Sequence, residues 1–363
     1  MQSSCKTQFK SVNIVMMAGG TGGHVFPALA VARALKQEGA TISWLGTEVG
    51  IEAQIVPSEF PIDYISIKGI RKKSKLAKLM FPLLLLKAIV QSFTFLRKRQ
   101  VDLVIGFGGY ASGPGALAAR LMFKPVLIHE QNAKAGMTNR YLAKIAKHIM
   151  CAFPSSDFSQ KKTTVVGNPI RSNILAVGHQ VRDFNQLKLN VLVLGGSLGA
   201  QILNDIVPKA IALIPELARP NVWHQSGDKL FENAKENYES SSVIAEVAPF
   251  IKKISEAYAW ADVVICRSGA STVSEVAAVG LPAIFVPYPH AVDDHQFHNA
   301  QVLVRAKAAS CIRQENFSPE RLSAFIRAWD LDRLALSEQS SHAKGVAMTD
   351  SVEKVLSIVK EAI

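Results

Sequence analysis

The chain has 363 residues, 48% of them hydrophobic, which is enough for a sizeable core and, by length, for two domains. Its formal charge of +12 is concentrated: ten Lys and Arg and no acid lie between Lys68 and Arg99, leaving only +2 elsewhere, so no nucleic-acid footprint is expected. Cys5, Cys151, Cys266 and Cys311 show no paired spacing, which argues against a disulfide framework or a zinc site and reads as reduced, cytosolic thiols.

"SVNIVMMA" predicts a buried strand; the run is too short, and too soon broken by glycine, for a signal peptide. "HVFPALAVARALKQEG" predicts a helix with Gly39 at its stop. "TISWLG", "VDLVIGFGG" and "PVLIHEQ" follow as strands, and such alternation implies a parallel sheet with helices on both faces. The chain then starts again. "LNVLVLGGSLGAQILNDIVPKAI" repeats strand, glycine turn and helix, and "NVWHQSG", "ADVVICRSGA" and "PAIFVPYP" continue a second set. The Asn-Pro step in "VVGNPIRSNI" marks the boundary. The expected fold is α/β: two doubly wound parallel-sheet domains, 1–168 and 169–345, facing each other across a cleft. The closing segment 346–363, with "SVEKVLSIVKEAI" at helical spacing, is expected to pack back on the first domain.

Gly19, Gly20, Thr21, Gly22 and Gly23 follow the first strand and precede His24. Glycine lets the main chain bring its N–H groups close to an anion at a helix N-terminus. One glycine would serve a plain turn, so contact with a phosphate or sugar is the favoured reading. A dinucleotide fingerprint fits at Gly106, Gly108 and Ala111, with Glu130 downstream, which leaves a nicotinamide enzyme open. Gly195, Gly196, Ser197 and Gly199 make a second glycine loop, whose G-x-S-x-G spelling also admits a Ser197 hydrolase with Asp293 and His295. Two anion-binding loops in two halves suggest one ligand spanning both, or a donor and an acceptor.

Thr272 and Glu275 form T-x-x-E, a capping box or, at Glu275, a carboxylate for ribose hydroxyls. His290, Asp293, Asp294, His295 and His298 crowd one loop but match no metal-ligand spacing, so contact with a ligand is expected there instead. Asp330 and Asp332, a D-x-D at a helix end, read as solvated charge. His24 is the titratable side chain beside the first glycine loop, suited to take a proton from an attacking hydroxyl or to orient the loop.

Six stretches, "GGTGGHVFPALAVA", "GFGGYASGPGALAA", "HEQNAKAGMTNRYLAKIA", "VVGNPIR", "GGSLGA" and "CRSGASTVSEVAAVGLPAIFVPYPHAVDDHQFHNA", together resemble the MurG family. These bacterial enzymes transfer N-acetylglucosamine from UDP-GlcNAc to undecaprenyl-pyrophosphoryl-MurNAc-pentapeptide. The resemblance runs from about Val12 to the end of the chain and implies a GT-B glycosyltransferase with two Rossmann-like domains. It further implies an inverting reaction that makes lipid II from lipid I in peptidoglycan synthesis, serving cell-wall biogenesis, cell shape and division, with no cofactor or metal. Thr21, Gly22 and Gly23 would meet the donor and the acceptor pyrophosphate, while Asn132, Arg171 and Ser197 would lie at the donor. Ile251 would recognise uracil through its backbone. Ala270, Ser271, Thr272, Val273, Ser274 and Glu275 would hold the nucleotide, with Glu275 on the ribose, and Gln296 would read GlcNAc hydroxyls. His24 is the candidate base. Leu198 stands where the family often has Gln, so an amide contact is lost.

"LMFPLLLLKAIV" reads as too short and Pro-interrupted for a transmembrane span. Lys72, Lys73, Lys75 and Lys78, beside leucines and a phenylalanine, suggest peripheral contact with an anionic surface. By the resemblance this is the cytoplasmic face of the inner membrane, where the lipid-linked acceptor resides. A buried helix beside a solvated basic loop is the alternative, and the stripe Lys87, Gln91, Thr94, Lys98 fits both.

Overall fold

The computed structural model describes residues 8–67, 75–155 and 157–363, without the side chains of 75–78. The chain divides into two compact units, Met1–Arg171 together with Thr349–Ile363, and Ser172–Met348. The first break falls after Arg171 rather than after 168, because Arg171 stacks over Phe26, 5.2 Å from its ring centroid, and the next helix starts at Ser172. The second falls after Met348 rather than 345.

In the first unit, strands β1 (Asn13–Ala18), β2 (Thr41–Gly46), β3 (Ile62–Tyr64), β4 (Leu103–Gly108), β5 (Val126–Glu130), β6 (His148–Cys151) and β7 (Thr163–Val165) form one sheet. Its order is β3-β2-β1-β4-β5-β6-β7, parallel throughout. Helices α1 (Gly22–Gln37), α2 (Glu52–Ile55), α3 (Lys75–Lys98), α4 (Ser112–Leu121) and α5 (Met137–Leu142) accompany these strands. Along β1 the side chains alternate between two apolar layers. Ile14, Met16 and Ala18 join Val31, Leu35 and Trp44, whereas Val15 and Met17 join Ala88, Leu96 and Ala116.

The second unit repeats the plan. Strands β8 (Asn190–Leu194), β9 (Asn221–Gln225), β10 (Glu246–Ala248), β11 (Val263–Cys266), β12 (Ala283–Phe285) and β13 (Ala309–Cys311) run parallel in the order β10-β9-β8-β11-β12-β13. Its helices are α6 (Ser172–Gly178), α7 (Gln201–Ala212), α8 (Phe231–Ser240), α9 (Ile254–Trp260), α10 (Ala270–Val279), α11 (His295–Arg305), α12 (Pro319–Leu331) and α13 (Arg333–Gly345). The D-x-D lies at the α12–α13 junction and is less idle than expected. Asp332 accepts the Ala335 N–H at 2.9 Å as the N-cap of α13, and Asp330 pairs with Arg333.

The last helix, α14 (Ser351–Ala362), returns to the first unit. Val355, Val359 and Ala362 are buried in the layer that holds Val31 and Leu35. Its Ser351 hydroxyl donates to the Asn168 carbonyl at 3.0 Å, and Lys147 Nζ donates to the Ala362 carbonyl at 2.9 Å.

The α3 helix corrects one expectation. It runs unbroken through Pro82 for 24 residues, so Leu79–Lys98 is long and apolar enough to cross a membrane. One face is committed to the sheet through Ala88, Phe95 and Leu96, and Gln91 Oε1 accepts the Ser66 N–H at 2.9 Å. The other leaves Leu79, Leu83, Leu86 and Val90 exposed, beside Lys87. Lys72 and Lys73, and the side chains of Lys75 and Lys78, lie outside the described residues.

Each unit buries one neutral histidine. The His129 Nε2 donates to the Gly167 carbonyl at 3.0 Å, and its ring stacks on Phe107; burial, only partly opposed by that hydrogen bond, lowers its pKa from 6.5 to about 4. Burial takes His224, whose Nδ1 meets the Tyr238 hydroxyl at 2.9 Å, down to about 3. Between those values and 6.5 the unfolded chain binds protons that the folded chain refuses, so stability is complete above 6.5 and is lost as pH falls. At about pH 5 each histidine costs about 2 kcal/mol. Melting temperatures taken from about pH 7 to pH 5 should fall for both units, and a flat profile would refute neutral burial of these rings. Burial likewise pushes the Cys151 thiol up to about 12, which keeps it unreactive.

Candidate active site

In an open parallel sheet, ligands bind beyond the strand C-termini where strand order reverses. That place is β1/β4 in the first unit and β8/β11 in the second, and a glycine loop leaves β1 and β8.

The first loop is built by packing backbone on backbone. Gly109, at φ +88, lies so close to the loop that a Cβ there would sit 2.5 Å from the Gly19 carbonyl oxygen. The Ser112 hydroxyl lies within hydrogen-bond distance of the carbonyls of Met17 (3.0 Å) and Gly108 (2.8 Å), which share its one proton, tying the β1 and β4 ends together. Underneath, the buried Glu52 accepts from Gly20 N at 3.0 Å, Thr47 N at 2.9 Å and Thr47 Oγ1 at 2.8 Å. Thr21 is the N-cap of α1, and Gly22 and Gly23 form its first turn, whose N–H groups have no intrahelical acceptor.

His24 is fixed by the same loop. Its Nδ1 lies 3.0 Å from the Gly19 carbonyl, which can only accept, so Nδ1 carries the proton and the neutral ring keeps a lone pair on Nε2. That nitrogen faces Gly108, where a Cβ would come within 3.1 Å of it. A ring held by one nitrogen and basic at the other is what proton acceptance requires.

The remaining first-unit positions have supports that sequence reading missed. Glu130 is buried; its Oε1 accepts from Asn132 N (3.0 Å) and Nδ2 (3.2 Å), and its Oε2 from Gly136 N (3.0 Å) and Asn139 Nδ2 (2.9 Å). The carboxylate that a dinucleotide enzyme would turn toward ribose is spent on holding Asn132. Gly108 and Gly109 are likewise spent on packing against His24 and Gly19, so nothing here favours the nicotinamide reading.

In the second unit, Gly196 (φ +80) and Gly199 (φ +77) shape the loop that exposes Ser197, closed by Gly199 N on the Gly196 carbonyl at 3.1 Å. The hydrolase alternative loses its relay, because the His295 Nδ1 faces the Val292 carbonyl at 2.7 Å, where a triad needs its acid. The capping-box reading of T-x-x-E also fails. Gly269 is the N-cap of α10, which puts Ala270, Ser271 and Thr272 in the first turn and Glu275 farther along, where its Oε2 accepts the Tyr258 hydroxyl at 3.0 Å. The Gln296 Oε1 accepts the Tyr288 N–H at 2.9 Å, so the group this side chain can offer to a ligand is its NH₂ donor. Arg267 braces that stretch by donating to the Val286 and Pro287 carbonyls, each at 3.0 Å. Ile251 differs from expectation in one respect: its N–H is already given to Gln225 Oε1 at 3.0 Å. None of the helices α1, α4, α7 and α10 carries an acid in its first turn, so each N-terminus keeps its positive potential. Among the described residues, no group of three or more His, Cys, Asp or Glu is arranged to hold a metal ion.

Residues 14–151 match the glycosyltransferase family 28 N-terminal domain, and residues 190–355 match the family 28 C-terminal domain. A UDP-N-acetylglucosamine–N-acetylmuramyl-(pentapeptide) pyrophosphoryl-undecaprenol N-acetylglucosamine transferase of Marinobacter nauticus is 47% identical over 96% of this chain and 97% of its own length. The chain belongs to the MurG family. A Francisella tularensis transferase of the same description is also 47% identical, over 97% of this chain and 98% of its own length. The crystal structure of MurG from Acinetobacter baumannii superposes with a TM-score of 0.82 at 39% identity, covering 96% of this chain and 99% of that one. As a MurG-family protein with both family 28 domains, the chain is a glycosyltransferase built from two Rossmann-type parallel-sheet units in the GT-B manner.

Proposed function

We propose that this protein moves N-acetylglucosamine from UDP-GlcNAc to the 4-hydroxyl of MurNAc in undecaprenyl-pyrophosphoryl-MurNAc-pentapeptide, the lipid I to lipid II step of peptidoglycan synthesis. The observation that carries this reading is near full-length identity to transferases of that description. Glycine loops at acid-free helix N-termini in both units support it, since a diphosphate needs that kind of surface.

The donor belongs to the second unit. The first turn of α10 with Ala270, Ser271 and Thr272, together with the N–H groups around Ser197, takes the diphosphate. Val273 and Ser274 continue that helix beneath the nucleotide, Glu275 accepts ribose hydroxyls, the backbone at Ile251 meets uracil, and Gln296 donates to the sugar. Asn132 and Arg171 are further donor positions, and Thr21, Gly22 and Gly23 meet the donor and the acceptor pyrophosphate. His24 Nε2 removes the proton as the hydroxyl attacks the anomeric carbon from the face opposite UDP, which inverts that centre. Helix N-termini and loop N–H groups stabilise charge as it develops on the departing UDP.

The exposed leucines of α3, beside a segment rich in Lys and Arg, support peripheral attachment to an anionic membrane on its cytoplasmic side, where cell-wall synthesis, cell shape and division would depend on it. UDP release measured with a lipid I analogue in vesicles tests these assignments together. Turnover should require the acceptor and be faster in anionic than in zwitterionic vesicles. Glu275→Ala and Gln296→Ala should each raise the KM for UDP-GlcNAc roughly tenfold. No turnover with a polyprenyl acceptor would sink the reading, and unchanged donor kinetics in both variants would sink the donor-site assignment.

A further inference from the structure

Gln225, the last residue of β9, is buried and contacts two parts of the donor-holding surface. Its backbone carbonyl accepts from Gly195 N at 3.1 Å, and its Nε2 donates to the Gly196 carbonyl at 3.0 Å. Its Oε1 accepts from Ile251 N at 3.0 Å. One side chain thereby fixes the glycine loop after β8 and the segment after β10.

The consequence follows from peptide geometry. In a trans peptide the carbonyl of one residue and the N–H of the next point in opposite directions. Holding the Gly196 carbonyl against Gln225 Nε2, in addition to its bond from Gly199 N, turns the Ser197 N–H the other way, toward the exposed side of the loop. Holding the Ile251 N–H turns the Phe250 carbonyl outward in the same manner. The loop thus offers a donor, suited to phosphate, while the 250–251 peptide offers the Phe250 carbonyl as an acceptor, suited to a ring N–H.

We propose that Gln225 is a positioning residue that sets the polarity of both ends of the donor site, turning an N–H toward the diphosphate and the Phe250 carbonyl toward the base. This rests on the donor reading above and adds the source of its base selectivity. Uracil presents N3–H to a carbonyl, whereas cytosine presents an N3 lone pair, which a carbonyl repels. A free Ile251 N–H would remove that discrimination.

Three proteins test it: the wild type, Gln225→Met, which removes both side-chain bonds, and Gln225→Glu, which keeps an acceptor for Ile251 N–H but loses the donor to Gly196. The readouts are kcat and KM for UDP-GlcNAc, and thermal protection by UDP and by CDP. Wild type should be protected by UDP and far less by CDP. Both variants should raise KM roughly tenfold, with kcat changed much less. Gln225→Met should also lose the preference for UDP over CDP, and Gln225→Glu should retain it, a split that general loosening of the fold would not produce. A Met variant with wild-type KM and preference overturns the proposal. If that variant does not melt cooperatively, the Glu variant decides, and equal protection by UDP and CDP there overturns it too. A wild type that UDP does not protect overturns the donor reading itself, and this proposal with it.

Discussion

Replacing His24 with alanine is expected to lower kcat roughly 100- to 10,000-fold while leaving the KM for UDP-GlcNAc nearly unchanged. The expectation comes from the division of labour on the ring. Nδ1 is committed to the Gly19 carbonyl at 3.0 Å, so Nε2 alone can receive the proton of an attacking hydroxyl. A His24→Gln variant sharpens the test. Its amide N–H can still reach the Gly19 carbonyl and hold the loop, but the side chain cannot accept a proton at neutral pH, so it should be as slow as alanine. Full turnover in His24→Ala would remove His24 from the chemistry and leave it a loop anchor.

Gly109→Ala should damage the same step from a distance. Two costs combine: a non-glycine residue at φ +88, and a methyl 2.5 Å from the Gly19 oxygen and 2.8 Å from its carbon. Neither neighbour is a flexible side-chain end, so the backbone must yield. Together they should cost about 3 kcal/mol and lower the melting temperature of the first unit by roughly 5–10 °C. The carbonyl pushed aside is the one that orients His24, so kcat should fall steeply in the folded fraction as well. Gly113 is the matched control, because nothing lies within 4 Å of a Cβ there and its φ is not positive. Wild-type melting and turnover in Gly109→Ala would mean that this close approach does not set the geometry of His24.

Local features were readable from sequence and pairwise ones were not. Strand–helix alternation and the two glycine loops follow from apolar runs broken by glycine, and they delimit β1, α1, β8 and α7 closely. His24 stood out because its anchor, Gly19, is five residues away. Glu52 did not, because the glycine-loop N–H it holds, beside its nearby bonds to Thr47, belongs to Gly20, 32 residues earlier, and a lone acid in "GIEAQI" carries no sign of that partner. Gln225 and Tyr258 were invisible for the same reason, each acting on a residue at least 17 positions away. Where local rules misled, tertiary context had overridden them. Packing of α3 against the sheet carries that helix through Pro82, and T-x-x-E looks like a capping box while Gly269 makes the turn.

The return of α14 has a bearing on how the protein is made. Val355, Val359 and Ala362 complete the apolar layer beneath α1, so the first unit stays open on that side until residues translated long after Arg171 have left the ribosome. The intervening unit, Ser172–Met348, is continuous in sequence and can close first. Synthesis therefore finishes the leading half of the polypeptide last, and the half that holds His24 becomes competent only once its final tie is in place.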